Sequence, residues 1–121
     1  MISRTDLTPS LSCVMPAFNE ARNLDVVVPQ VLAALSALSP QVELIVVDDG
    51  SRDDTAEVAR RLCGTHPQMV LLQLSRNFGK EAALTAGIDA ARGDLVFMMD
   101  ADGQHPTSLL APMLEKWRQG A

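Results

Sequence analysis

The chain has no tyrosine, a single tryptophan (Trp117) and three phenylalanines. So few aromatic rings argue against an aromatic stacking platform within it. Cysteine is just as scarce: Cys13 sits in an apolar run and Cys63 in a helical pattern. Neither belongs to a recognisable motif, and the two read as buried free thiols of a reducing compartment rather than a disulfide. Basic residues are outnumbered, 10 Lys and Arg against 15 Asp and Glu, for a net charge of −5. That balance excludes a nucleic-acid surface, and an anionic ligand would need a metal or a few placed cations. No apolar run approaches the ~18–20 residues of a membrane span, and the N-terminus lacks a signal-peptide pattern, so a cytoplasmic protein is expected. Neither a GxGxxG nor a P-loop occurs: the GK of Gly79 and Lys80 lacks the upstream glycine and the following Ser or Thr.

What remains is ordinary globular composition, 47% hydrophobic and 21% charged over 121 residues, enough for one domain with its own core. Residues 1–9 are polar, contain Pro9 and read as a flexible N-terminal arm; residues 10–121 carry the fold. Leu11 to Met15, closed by Pro16, is the first strand candidate. The helix that follows has Leu24, Val27, Val28, Val31, Leu32, Leu35 and Leu38 at helical spacing. An interior proline costs ~3 kcal/mol, so the helix is expected to start late, at 23–26, with Pro29 in its first turn. Val42 to Val47 is the second strand, followed by a helix over about 54–63 that Asp54 and Glu57 open as a capping box and Gly64 ends. Met69 to Leu74 is a third strand, and an alanine-rich helix over about 80–91, ended by Gly93, comes next. Leu95 to Met99 then reads as a strand buried on both faces, and Leu109 to Trp117 as a last helix. The order β-α-β-α-β-α-β-α with short connections predicts an α/β fold: a mostly parallel sheet with helices on both faces. The chain ends just after the last helix, leaving the Asp100 strand without a further neighbour. A truncated part of a larger domain is therefore expected, with an open sheet edge that favours homo-oligomers.

Three strand ends carry polar groups: Pro16 to Glu20, Asp48 with Asp49, and Asp100 to Gln104. Strand carboxyl ends are where open α/β sheets bind ligands. Asp53 and Asp54 sit where a helix cap belongs. Two carboxylates ~4 Å apart repel by about 4 kcal/mol at an effective dielectric near 20, a penalty that a divalent cation removes. Asp100, Asp102 and the Gln104 amide oxygen are hard donors suited to Mg²⁺ or Mn²⁺. His105, just before Pro106, reads as a surface group rather than a ligand. Lys80 has two readings: a solvated loop cation paired with Glu81, or a contact to a phosphate helped by free helix N–H groups.

Taken together, VMPAFNE, VVDDGSRDDT, SRNFGKEAAL and MMDADGQHP resemble the family 2 glycosyltransferases of GT-A fold, over about residues 10–119. More narrowly they are similar to the polyprenyl-phosphate (dolichyl- and undecaprenyl-phosphate) sugar transferases; Gly103 departs from that subgroup, which commonly has a larger apolar residue there. The resemblance implies a Rossmann-like, nucleotide-sugar-binding half of a GT-A domain and an inverting transfer from a UDP- or GDP-sugar to a polyprenyl-phosphate acceptor. It implies that Pro16, Phe18 and Glu20 border the nucleotide and that Asp48 and Asp49 hold base and ribose. Asp100 and Asp102 match the family's metal-binding DxD pair and Gln104 its third protein ligand, with Asp100 and Asp102 carrying the catalytic metal. In the complete protein it implies a place at the cytoplasmic face of the membrane. A binding-only fragment without turnover is the first alternative, because the acceptor side would lie beyond Ala121. A receiver-type signalling domain is the second. It would place the acid pair of IVVDDG on the first strand and need a hydroxyl and a lysine on strands after Asp100, and neither requirement is met.

Overall fold

The computed structural model describes residues 8–103 and 107–120. Residues 1–7 of the expected arm, together with Gln104 and His105, lie outside them. The strands are β1 (Leu11–Ala17), β2 (Val42–Asp48), β3 (Met69–Gln73) and β4 (Leu95–Met98). The helices are α1 (Ala21–Leu38), α2 (Thr55–Thr65), α3 (Lys80–Ala90) and α4 (Leu110–Arg118), the last entered through a 3-10 turn at Thr107–Leu109. All strand pairs are parallel and the sheet order is β3-β2-β1-β4. The chain thus winds outward from β1 to β3, then crosses to the other side of β1. Adjacent connections diverge at that switch point and leave a crevice above the ends of β1 and β4, the place where such sheets bind ligands.

The sheet is covered unequally. On one face Cys13, Met15, Leu44, Val46 and Phe97 meet α1, α2 and α4 in the larger core. On the other, Val14, Ile45 and Val47 pack on Ala83 of α3. Among the described residues no helix covers that face of β4: Val96 is 38% and Met98 53% exposed. The expectation of a strand buried on both faces is therefore corrected. Among the described residues β4 lies at the edge of the sheet, and alternate residues, Phe97 and Met99, are buried.

Three local readings are also revised. Helix α1 starts at Ala21 and takes Pro29 into its interior. Asp25 and Pro29 are both exposed, on the solvent side of the helix, where water can replace the donor that the Asp25 carbonyl loses. Pro16 lies inside β1 rather than closing it. Even-numbered β1 residues bond toward β4, as in Leu95 N to Ser10 O and Met99 N to Val14 O. Pro16 is the next in that series, past the last β4 pair at Met98, so its missing N–H breaks no ladder. Gly93 ends no helix, since α3 stops at Ala90; a Cβ there would lie 2.6 Å from Ser12 Oγ, and its N–H donates to that oxygen at 2.8 Å. By length and mean hydropathy of 1.2, α1 could span a membrane. Here, however, Leu24, Val27, Val28, Val31, Leu32 and Leu35 are buried in the core.

Candidate functional site

A cleft of about 320 Å³ opens over the carboxyl ends of β1 and β4. Its walls are Pro16 and Ala17 at the end of β1, Phe18 and Glu20 just after it, and Asp49 after β2. Asn77, Gly79 and Lys80 close it at the start of α3, and Asp100, Ala101 and Asp102 after β4. Of the residues expected here, Asp48 does not line it. Asp48 is 3% exposed and accepts the N–H of Ser51 at 3.1 Å, holding the turn after β2.

The loops around the cleft are tied together by side chains acting on backbone. Asn19 takes a left-handed conformation (φ 55°). Its N–H donates to Ser51 Oγ and its Oδ1 accepts from Arg52 N, both at 2.9 Å. The Glu20 N–H donates to Thr55 Oγ1 at 2.9 Å, and Asn23 Nδ2 donates to Glu20 Oε2 at 2.5 Å. The first turn of α2 is held by Asp53 rather than by the expected Asp54–Glu57 box. Asp53 Oδ1 accepts from Thr55 N at 2.9 Å and also from the Thr55 hydroxyl, and Asp54 makes no side-chain cap. Desolvation pushes the Asp53 carboxyl up, but hydrogen bonds from Thr55 and from backbone N–H groups outweigh it and leave it below the usual range.

Asp49 has the densest set of bonds. It is 4% exposed; Oδ1 accepts from Phe78 N at 2.8 Å, and Oδ2 accepts from Asn77 Nδ2 and Gly79 N at 3.1 Å each. Asn77 Nδ2 also reaches the Asp49 carbonyl at 3.1 Å. The loop preceding α3 is thus clamped onto the end of β2. Gly50 allows the approach: its φ is +68°, and a Cβ would fall 2.2 Å from the carbonyl carbon of Arg76. The guanidinium of Arg76 stacks on the exposed Phe78 ring, 4.6 Å from its centroid.

At the front of the cleft, Lys80 Nζ lies 2.5 Å from Asp100 Oδ1, with side chains 60% and 25% exposed. The protein partner of Lys80 is therefore Asp100, where the solvated-loop reading suggests Glu81. Asp100 and Asp102 fit a divalent cation in donor chemistry: both are carboxylates, both line one wall, and Asp100 already faces a cationic group. Among the described residues no group of three His, Cys, Asp or Glu could hold a metal by itself. Mg²⁺-like ions are commonly held by one or two carboxylates, with ligand phosphates and waters completing the shell. The chemical readings left out Ala17, Ala101, Asn77 and Gly79. The two alanines carry no reactive group, whereas Asn77 and Gly79 lie in the SRNFGKEAAL stretch with no role that their residue types alone assign.

The family model "Glycosyl transferase family 2" matches residues 12–121. An uncharacterized glycosyltransferase of Synechocystis is 42% identical over 94% of this chain and 36% of its own length. The bactoprenol glucosyl transferase of Shigella phage SfV is 39% identical over 92% of this chain and 36% of its own. The chain therefore spans little more than a third of the length of the curated relatives it matches. Among solved structures, the mannosyltransferase PcManGT from Pyrobaculum calidifontis, in complex with GDP-Man and Mn²⁺, superposes with a TM-score of 0.72 at 27% identity. It covers 84% of this chain and 30% of that one. S. aureus TarS 1–349 has a TM-score of 0.72 at 21% identity, over 88% of this chain and 31% of that one, and shares the fold. The Rossmann-like α/β architecture is thus that of GT-A glycosyltransferases. By sequence match, this chain belongs to glycosyltransferase family 2.

Proposed function

We propose that this chain is the donor-binding part of an inverting glycosyltransferase that moves a sugar from a UDP- or GDP-sugar to a polyprenyl phosphate. The observation that carries the proposal is the cleft itself, which Asp100 and Asp102 line together with Glu20, Asp49 and Lys80 at the sheet's switch point. The bactoprenol glucosyl transferases among the relatives and the GDP-Man and Mn²⁺ of the mannosyltransferase support the acceptor, donor and metal classes.

In this scheme Pro16, Phe18 and Glu20 border the nucleotide, Asp49 flanks base and ribose, and Asp48 acts through the turn it holds. Asp100 and Asp102, with Gln104 as third protein ligand, hold Mg²⁺ or Mn²⁺, which supplies Lewis-acid stabilisation of the charge on the leaving diphosphate. Lys80 adds a positive charge at the diphosphate end, beside the first N–H groups of α3. A lipid phosphate is already ionised near neutral pH, so attack by its oxygen asks no strong base of these residues. A lipid acceptor together with a nucleotide-sugar donor supports a position of the complete protein at the cytoplasmic face of a membrane.

The test is calorimetric titration of UDP and of GDP, with Mn²⁺ and with EDTA, into wild type and Asp102→Ala. One nucleotide should bind only with metal, and at least ~10-fold more weakly to the variant, the factor expected when ~1.4 kcal/mol is lost. A chain folded by circular dichroism that binds neither nucleotide would overturn the proposal.

A further inference from the structure

The Lys80 ammonium sits 2.5 Å from Oδ1 of Asp100, a carboxylate assigned above to the metal. A carboxylate oxygen in contact with one cation cannot take a second at bonding distance without placing two positive charges side by side. Even with the metal on Oδ2, the two cations would share one carboxylate and repel across it, which favours departure of the more mobile one. The backbone of Lys80 cannot move far, because it opens α3 directly after Gly79, whose N–H is fixed on the buried Asp49. Its side chain is 60% exposed, with room to swing within the cleft it lines.

We propose that Lys80 is a built-in counterion that competes with the divalent cation for Asp100. It yields that place when a nucleotide diphosphate offers its ammonium another anion, so metal and nucleotide bind cooperatively through Lys80. With the cleft empty, Lys80 offsets part of the repulsion between Asp100 and Asp102 and weakens the site for metal alone. With diphosphate present, the ammonium moves to phosphate oxygens and both carboxylates face the metal. By linkage, whatever metal affinity the nucleotide restores, the metal returns as nucleotide affinity. This rests on the proposed metal role of Asp100 and Asp102.

The test is Mn²⁺ binding to the full chain, read as loss of the free Mn²⁺ electron paramagnetic resonance signal. Wild type, Lys80→Met, Lys80→Arg and Asp102→Ala are titrated, each without nucleotide, with UDP and with GDP. Without nucleotide, Lys80→Met should bind Mn²⁺ about two- to fivefold more tightly than wild type, the range spanned by a partly exposed ion pair. Its gain in Mn²⁺ affinity on adding nucleotide should shrink by a similar factor, while Lys80→Arg keeps wild-type behaviour. Wild-type or weaker Mn²⁺ affinity in folded Lys80→Met, with Asp102→Ala still deficient, would overturn the counterion role and leave the metal site standing. No Mn²⁺ uptake by wild type even with nucleotide would overturn the metal assignment and this proposal together.

Discussion

Asp49→Asn is the substitution that separates a structural carboxylate from a ligand-reading one. The Asp49 side chain is 4% exposed and accepts three N–H bonds, one on Oδ1 and two on Oδ2. Asparagine keeps the shape but has one oxygen. With that oxygen in the Oδ2 position, the bonds from Asn77 and Gly79 survive and the Phe78 N–H faces an amide NH₂. The opposite rotamer loses two bonds instead of one. The cheaper rotamer forfeits one charge-assisted bond, about 1.5–3 kcal/mol. It also turns the other two from charged to neutral acceptance, which is roughly half as strong. The expected destabilisation is about 2–4 kcal/mol, a large part of a typical ~5–15 kcal/mol. At about 4 °C per kcal/mol for a domain of this size, the melting temperature should fall by roughly 8–16 °C. Urea unfolding followed by far-ultraviolet circular dichroism measures it, with Asp48→Asn as the contrast. Asp48 has one such bond, to Ser51 N, and its oxygen can stay in place. If Asp49→Asn unfolds at the wild-type urea midpoint yet no longer binds nucleotide, the clamp argument is wrong and the carboxylate works on the ligand alone.

Gly87→Ala should destabilise by about 1–3 kcal/mol despite alanine's better helix propensity, because overpacking outweighs it. The new Cβ would fall 2.3 Å from Cγ1 of the stiff, fully buried Val14, and the urea midpoint reads the loss. Thiol titration gives an independent check on burial. Cys13 is 0% exposed and burial pushes its thiol up to about 12, whereas Cys63 is half-buried with its thiol raised for the same reason. An aromatic disulfide reagent at pH 8 should therefore label Cys63 slowly in the native chain and Cys13 only after denaturation; prompt reaction at Cys13 would contradict the packing of β1.

Much of this molecule is written locally. The alternation of apolar strands with helical periodicities in Leu24 to Leu38 and in Thr55 to Cys63 produces the observed element order, because those periods depend on neighbours within one or two turns. The strand-end acids at 48, 49, 100 and 102 were equally visible, since an apolar run that stops at a carboxylate is a one-dimensional pattern. Leu95 to Met99 marks where such patterns stop being informative. Five apolar residues in a row look the same whether one face is covered or two, and only the seating of α3 over β1 and β2 leaves Val96 and Met98 in the open. Pro29 is similar: its cost depends on which way the freed carbonyl points, a fact of helix orientation rather than of spacing.

The roles of the acids needed the fold most. Asp48 and Asp49 are adjacent and chemically identical, yet one holds a turn within its own loop and the other clamps residues about thirty positions away. Lys80 and Asp100 come from different strand–helix units and meet only because the chain crosses from β3 to the far side of β1. Sequence by itself determined the elements, their order and the residue types at the strand ends, all set by short-range periodicity and local chemistry. Tertiary structure alone decided which carboxylates face the cleft, which are used up on backbone N–H groups and which one holds a lysine. Those outcomes depend on distances between segments that local pattern does not encode.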